Sequence, residues 1–135
     1  MKKILLLIIL VLFSISTFSQ TKQRESYYQK EFAKVMDGVT EVVLEDRTRV
    51  DIVTQTHAIE VDFAPKWAES IGQALHYELM TGKKAGVLLV MRGDEEVRFL
   101  EILMGVAVPH GIDVWTWNYL DDTWSKIDYK IIYIK

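Results

Sequence analysis

Two acidic residues on neighbouring extended stretches offer the first chemistry in this chain. Asp51 lies in Arg49-Val50-Asp51-Ile52-Val53, and Glu60 lies in Ala58-Ile59-Glu60-Val61-Asp62. Each is flanked by residues that belong in a core. An acid so placed must meet water, a cation or a partner on the other face of its strand. Two or three carboxylates converging on one point repel each other, and a divalent cation relieves the repulsion. Mg²⁺ takes oxygen ligands, commonly one or two carboxylates, with water and substrate phosphate completing its shell. The residue types therefore suit a hard-cation site that handles phosphate. The spacing alone is met more readily by a plainer arrangement, a solvated acidic face on an antiparallel sheet.

A second set of polar residues strengthens the first reading. Lys66, Ser70, Gln73 and Tyr77 fall at i, i+4, i+7 and i+11, so they form one polar stripe along a helix. The stripe starts four residues beyond Asp62, which brings its first turn near the acidic strand end. An ammonium, an amide and a phenol beside carboxylates suit a phosphodiester, with the lysine as point charge and the others as hydrogen-bond donors.

The elements that must position these groups follow from periodicity. Residues 22–37 carry apolar side chains at Tyr28, Phe32, Val35 and Met36, which is helical spacing, with Gly38 as a stop. Residues 40–44 and 49–53 read as strands joined by a polar hairpin turn at 45–48. Residues 57–63 alternate, with His57, Ile59, Val61 and Phe63 on one face and Ala58, Glu60 and Asp62 on the other. Pro65 opens a long helix whose expected buried stripe is Trp67, Ile71, Ala74, Leu75 and Leu79, closed by Thr81-Gly82. The apolar run 86–91 reads as a buried central strand, 94–108 as a helix and 112–117 as a further strand. A turn at Asp121-Asp122 and an edge strand at 130–134 complete the expectation. The order α, β, β, β, α, β, α, β predicts an α/β three-layer domain with a mixed central sheet flanked by helices.

In this order the motifs resemble the PD-(D/E)XK nuclease superfamily, whose fold is that of the restriction endonucleases. The stretches that carry the likeness are Arg49-Val50-Asp51, Ile59-Glu60-Val61-Asp62-Phe63 and Gln73-Ala74-Leu75-His76-Tyr77. The last is similar to the Gln-x-x-x-Tyr element in exonuclease domains of recombination helicase–nucleases. The resemblance implies Asp51 and Glu60 as ligands of Mg²⁺ or Mn²⁺, with the Val61 carbonyl as a further ligand. It implies that Gln73 and Tyr77 contact nucleic acid or support the site. A first-helix glutamate often joins such a cluster. Glu25 is the first candidate because it shares a face with Tyr28, Phe32 and Met36, and Glu31 is the second. The implied activity is metal-dependent hydrolysis of nucleic acid, DNA in the first instance.

The chain departs from the family at one position. The motif lysine, two residues after the second acid, is here Asp62. Three accounts stand open. Lys66 supplies the ammonium from the helix; Asp62 helps hold a second cation; or catalysis is lost and the fold serves as a binding module.

Other residues read as structural. His57 belongs to a core or rim. His76 and Glu78 are two apart on a helix and point away from each other. Trp115, Trp117 and Trp124 suit a sheet edge, although aromatics also stack bases. Lys83, Lys84, Arg92 and Arg98 offer a local basic rim or simply a solvated surface.

The whole chain, 135 residues with a formal charge of -3 and half its residues apolar, is a single-domain length without a low-complexity tract. It has no cysteine, which excludes disulfides, thiolate metal sites, a cysteine nucleophile and a cysteine-linked lipid anchor. Residues 1–19 have the plan of a secretory signal peptide: Lys2 and Lys3, an apolar run over 4–13, and small residues Thr17 and Ser19 before Gln20. Residues 20–135 are then one exported domain, secreted or periplasmic, and an uncleaved start would instead anchor it. Loss of the two lysines leaves the mature domain more acidic, so any nucleic-acid contact needs a local basic patch.

Overall fold

The structure is a computed structural model that describes residues 23–128. The expected signal peptide at 1–19 and edge strand at 130–134 lie outside the described residues. The chain is α/β. One six-stranded mixed sheet runs in the sequential order β1-β2-β3-β4-β5-β6. The strands are β1 (Val39–Val43), β2 (Arg49–Val53), β3 (His57–Phe63), β4 (Lys84–Met91), β5 (Asp113–Asn118) and β6 (Thr123–Lys126). Three helices accompany them: α1 (Glu25–Val35), α2 (Trp67–Thr81) and α3 (Val97–Ala107). The β3–β4 and β4–β5 pairs are parallel and the other pairs antiparallel. Crossovers through α2 and α3 are what parallel neighbours require.

The layers follow from side-chain alternation. Tyr28 and Phe32 of α1 pack on Ile59, Val61, Leu88, Val90, Trp115 and Trp117. On the opposite face, Ile71 and Ala74 of α2 and Leu103, Met104 and Ala107 of α3 pack on Val87, Leu89 and Val114. Trp115 and Trp117 are thus core residues that pack edge-on against the aromatics of α1, and Trp124 touches Phe32 from a more exposed position. Among the described residues no helix is long and apolar enough to cross a membrane.

Several local expectations shift. The left-handed residue that ends α1 is Asp37, at φ 51, and the Gly38 N–H closes the turn on the Ala33 carbonyl at 2.8 Å. Gly38 is required for another reason: a Cβ there would lie 2.7 Å from Ile52 Cγ2. Pro65 opens a 3-10 turn, Ala64–Lys66, from which α2 continues, and Gly82 at φ 65 caps it. Leu79 is 80% exposed rather than core, and Ser70 and Tyr77 are buried on α2 together with Ile71 and Ala74. The short strand β6 was not expected, because all four of its residues are exposed and show no alternation. Its backbone pairs with β5 through Trp117↔Trp124 and Thr116↔Ser125.

Gly86 marks the tightest packing in the centre of the sheet. A Cβ there would meet Trp115 Cζ3 at 2.9 Å and Ile59 Cγ1 at 3.0 Å. Both neighbours are buried, so neither can swing into solvent. Gly86→Ala is expected to cost about 1–3 kcal/mol by overpacking. Urea unfolding measures this directly, and an unchanged midpoint would show that the tryptophan has room to move.

Candidate functional site

The site forms where the sheet ladder opens. β2 and β3 pair only through Ile52↔Ile59 and Val53↔Ala58. Beyond that, side chains take over the backbone bonds. Asp51 Oδ2 accepts the Val61 N–H at 2.8 Å. The Tyr77 hydroxyl, reaching from α2, donates to the Arg49 carbonyl at 2.8 Å and lies 3.2 Å from Gln73 Oε1. On the other side of β2 the register also skips Asp51, opposite Glu41. Glu41 holds a positive φ of 60, uncommon for a residue with a side chain, and pairs with Arg49 at 2.8 Å. Loss of regular pairing on both sides of Asp51 makes room for a cleft of about 410 Å³.

That cleft gathers the residues singled out from the sequence. Glu25, Asp51, Glu60, Asp62, Lys66, Gln73 and Tyr77 all line it, joined by Arg49 and His76. Glu25 reaches in from α1, with its Oε2 3.8 Å from Lys66 Nζ. Glu31 instead pairs with Lys34 at the surface, which separates the two first-helix candidates. Lys66 Nζ, four residues on in the chain, lies 3.2 Å from Asp62 Oδ1, and Ser70 Oγ lies 3.3 Å from Asp62 Oδ2. Tyr77 is nearly fully buried and committed to β2, so within its implied roles it braces the site.

The acids are buried, contrary to a solvated acidic face. Asp51, Glu60 and Asp62 are only 8%, 5% and 2% exposed. Glu60 Oε2 is buried with no hydrogen-bond partner. Burial pushes Glu60 up to about 9, and the neighbouring charges of Asp51 and Asp62 add to it. Burial likewise raises Asp51 to about 6 and Glu25 to about 7. It raises Asp62 too, against the opposing pull of Lys66. The hydrogen bond to Asp62 and the charges of Asp62 and Glu25 raise Lys66, which keeps its ammonium charged.

These shifts carry a stability consequence. A carboxyl whose folded pKa lies above its unfolded value binds its proton more tightly in the folded state. For Glu60 that advantage is complete below about pH 4.5 and is lost as pH rises towards about 9. The cation-free protein is therefore expected to melt at progressively lower temperature across that interval. Calorimetry in EDTA measures it, and a melting temperature that stayed level would contradict a proton-holding cluster.

The acids of the cleft suit a hard divalent cation in type, because carboxylate oxygens are hard ligands and one of them is buried and unpaired. It is not closed as it stands. Among the described residues, no three acidic or imidazole side chains are gathered so as to hold an ion. Asp51 and Asp62 are turned partly to Val61, Ser70 and Lys66 instead.

The remaining candidates lie elsewhere. His57 is a satisfied rim residue, bonded to Asp113 at 3.0 Å and Thr56 at 2.8 Å. The suggested basic rim is dispersed: Lys83 bonds the Gln55 carbonyl, Lys84 pairs with Asp113, Arg92 with Glu96, and Arg98 covers Phe99. The cationic side chains at the cleft are Lys66 and Arg49. The family resemblance implies no role for Arg49, although its position two residues before Asp51 puts it on the same strand as the first acid. A second cavity, about 300 Å³, opens between β4, β5, β6 and the start of α3, lined by aliphatic and hydroxyl groups with Asp94 and Asn118. No family model, curated protein or solved structure matches this chain.

Proposed function

We propose that the cleft is the active site of a metal-dependent nuclease of the PD-(D/E)XK type, acting outside the cytoplasm on nucleic acid, DNA in the first instance. The observation that carries this reading is the meeting of Asp51, Glu60 and Lys66 in one cleft, with Glu60 Oε2 buried and unpaired. A buried carboxylate oxygen without a partner is costly. A cation bound there would relieve that cost and the repulsion within the cluster.

Asp51 and Glu60 would hold Mg²⁺ or Mn²⁺, with Glu25 and Asp62 at the edge of the set. When bound, the ion would supply a water of lowered pKa and neutralise phosphate charge. The protein's own residues do the rest. Asp62 and Glu25 hold the Lys66 ammonium at the cleft. From there Lys66 meets the charge that builds on the phosphate oxygens. Tyr77 fixes β2 through the Arg49 carbonyl and so keeps Asp51 in place. Gln73, whose amide oxygen faces the tyrosine, keeps an NH₂ group to offer the substrate.

A second reading has its own observation. Three donors do not enclose an ion among the described residues, and Asp62 stands where the family has its lysine. Those facts favour a nuclease-like binding module without catalysis. One experiment separates the two. Purified protein is incubated with single- and double-stranded DNA and RNA, in Mg²⁺, Mn²⁺ or EDTA, beside Asp51→Ala. Cleavage that needs metal and disappears in the variant is the expected result. A folded protein that cuts none of the substrates would overturn the nuclease and leave the binding module.

A further inference from the structure

We propose that His76, oriented by Asp46, donates the proton to the leaving oxygen when the ester bond is cut. The inference rests on the phosphodiesterase reading of the cleft and adds to it a residue outside the acid cluster. His76 lies on α2 one turn beyond Gln73 and lines the same cleft. Its Nε2 is 2.7 Å from Asp46 Oδ2. Asp46 sits in the β1–β2 turn and is itself anchored. Its Oδ1 accepts the Thr48 N–H at 3.0 Å and the Thr48 hydroxyl at 2.6 Å. Those bonds hold the Asp46 carboxyl below its usual range, so it remains an anion beside the ring.

The arrangement decides which nitrogen works. Nε2 keeps its proton towards Asp46, and Nδ1 makes no hydrogen bond among the described residues. An imidazole with one nitrogen on a fixed carboxylate has its tautomer and orientation set. The carboxyls of the cleft are assigned to the cation or to Lys66, and the phenolic and cationic donors are committed as well. Tyr77 donates to the Arg49 carbonyl, Lys66 is held by Asp62 and Glu25, and Arg49 is paired with Glu41. Arginine and a buried tyrosine also give up protons poorly at neutral pH, whereas histidine exchanges them readily.

The step balances simply. Water oxygen bonds to phosphorus, and the bond from phosphorus to the sugar oxygen breaks with its electron pair on that oxygen. The Nδ1 proton moves to the same oxygen and leaves the ring neutral, with Nε2–H still on Asp46. The attacking water gives its proton to solvent.

Leaving-group chemistry tests this. A sugar alkoxide needs a proton, whereas p-nitrophenolate leaves without one. Wild type, His76→Gln and Asp46→Asn are assayed in Mn²⁺ on a DNA oligonucleotide and on thymidine 5′-(p-nitrophenyl) phosphate, with melting curves alongside. General acid catalysis is worth about 10²–10⁴-fold. His76→Gln is expected to lose roughly 10²-fold or more on DNA, and at least tenfold less than that on the aryl ester. Asp46→Asn is expected to show the same bias, smaller in size. Equal losses on both substrates, or none on DNA, would overturn the role of His76 while the nuclease reading stands. Wild type that cuts neither substrate would remove that reading and the proton donor together.

Discussion

Glu60→Gln is expected to abolish metal-dependent cleavage and, in the same protein, to raise the melting temperature of the cation-free form at pH 8. Both outcomes come from one fact: Glu60 is a buried acid among acids. In the absence of a cation its charge is opposed by burial and by Asp51 and Asp62, which hold its pKa near 9. A neutral amide of nearly the same shape removes that opposition, and each kcal/mol relieved is worth roughly 4–8 °C in a domain of this size. With a cation the sign reverses, because the carboxylate is then needed as a ligand. Loss of several kcal/mol of metal-based transition-state stabilisation corresponds to about 10³-fold in rate. Titration calorimetry with Mn²⁺ gives an independent readout: wild type should bind and the variant should not. A variant that is destabilised yet still binds Mn²⁺ and cleaves would show that Glu60 is only a buried structural acid.

Lys66→Met is expected to lower kcat by roughly 10²–10³-fold while leaving Mn²⁺ binding in place. This is the size of effect seen when one preorganised donor at a developing negative charge is removed. The prediction separates the accounts of the missing motif lysine. The Lys66 ammonium reaches Asp62 from the first turn of the helical region, so charge lost at position 62 is recovered within 3.2 Å. Lys66 is half exposed but its partner Asp62 is buried, so its removal also costs stability, and melting curves taken alongside let the remaining loss be read as chemistry. Lys66→Arg should recover part of the rate, since it keeps the charge but changes the donor's reach. Full activity in Lys66→Met would rule out the migrated lysine. It would move the weight to Asp62 as a ligand of a second cation, testable in Asp62→Asn by loss of that activity.

The parts of this protein that follow a period could be read from its sequence. Alternation placed Glu60 and Asp62 on one face of β3, and the 3.6-residue repeat put Ser70, Gln73 and Tyr77 on one stripe of α2, with Lys66 in the turn just before it. Helical phase also favoured Glu25 over Glu31, since Glu25 shares its face with the buried Tyr28 and Phe32. The same logic misled at Leu79. An apolar residue near the end of α2 was assigned to the core, but the sheet no longer lies beneath it, and the hydroxyls of Ser70 and Tyr77 face inward instead. Periodicity ranks residues by type, and a helix that covers polar machinery must bury polar groups.

The succession of helices and strands from α1 to β5 and the shared face of Glu60 and Asp62 were decided by local pattern, because each depends on residues a few positions apart. The burial of the acids was not. Whether a polar strand face meets water or a helix depends on where α1 and α2 come to rest, and that is settled by distant packing. The unpaired Glu60 oxygen, the bond from Asp51 to Val61 and the opening between β2 and β3 arise only when the ladder gives way to side chains. The His76–Asp46 pair belongs to the same class: 30 residues separate its members, and only the meeting of a hairpin turn with a helix brings them within 2.7 Å. Local periodicity encodes which face a side chain takes, whereas chemistry between elements depends on contacts that no short-range pattern contains.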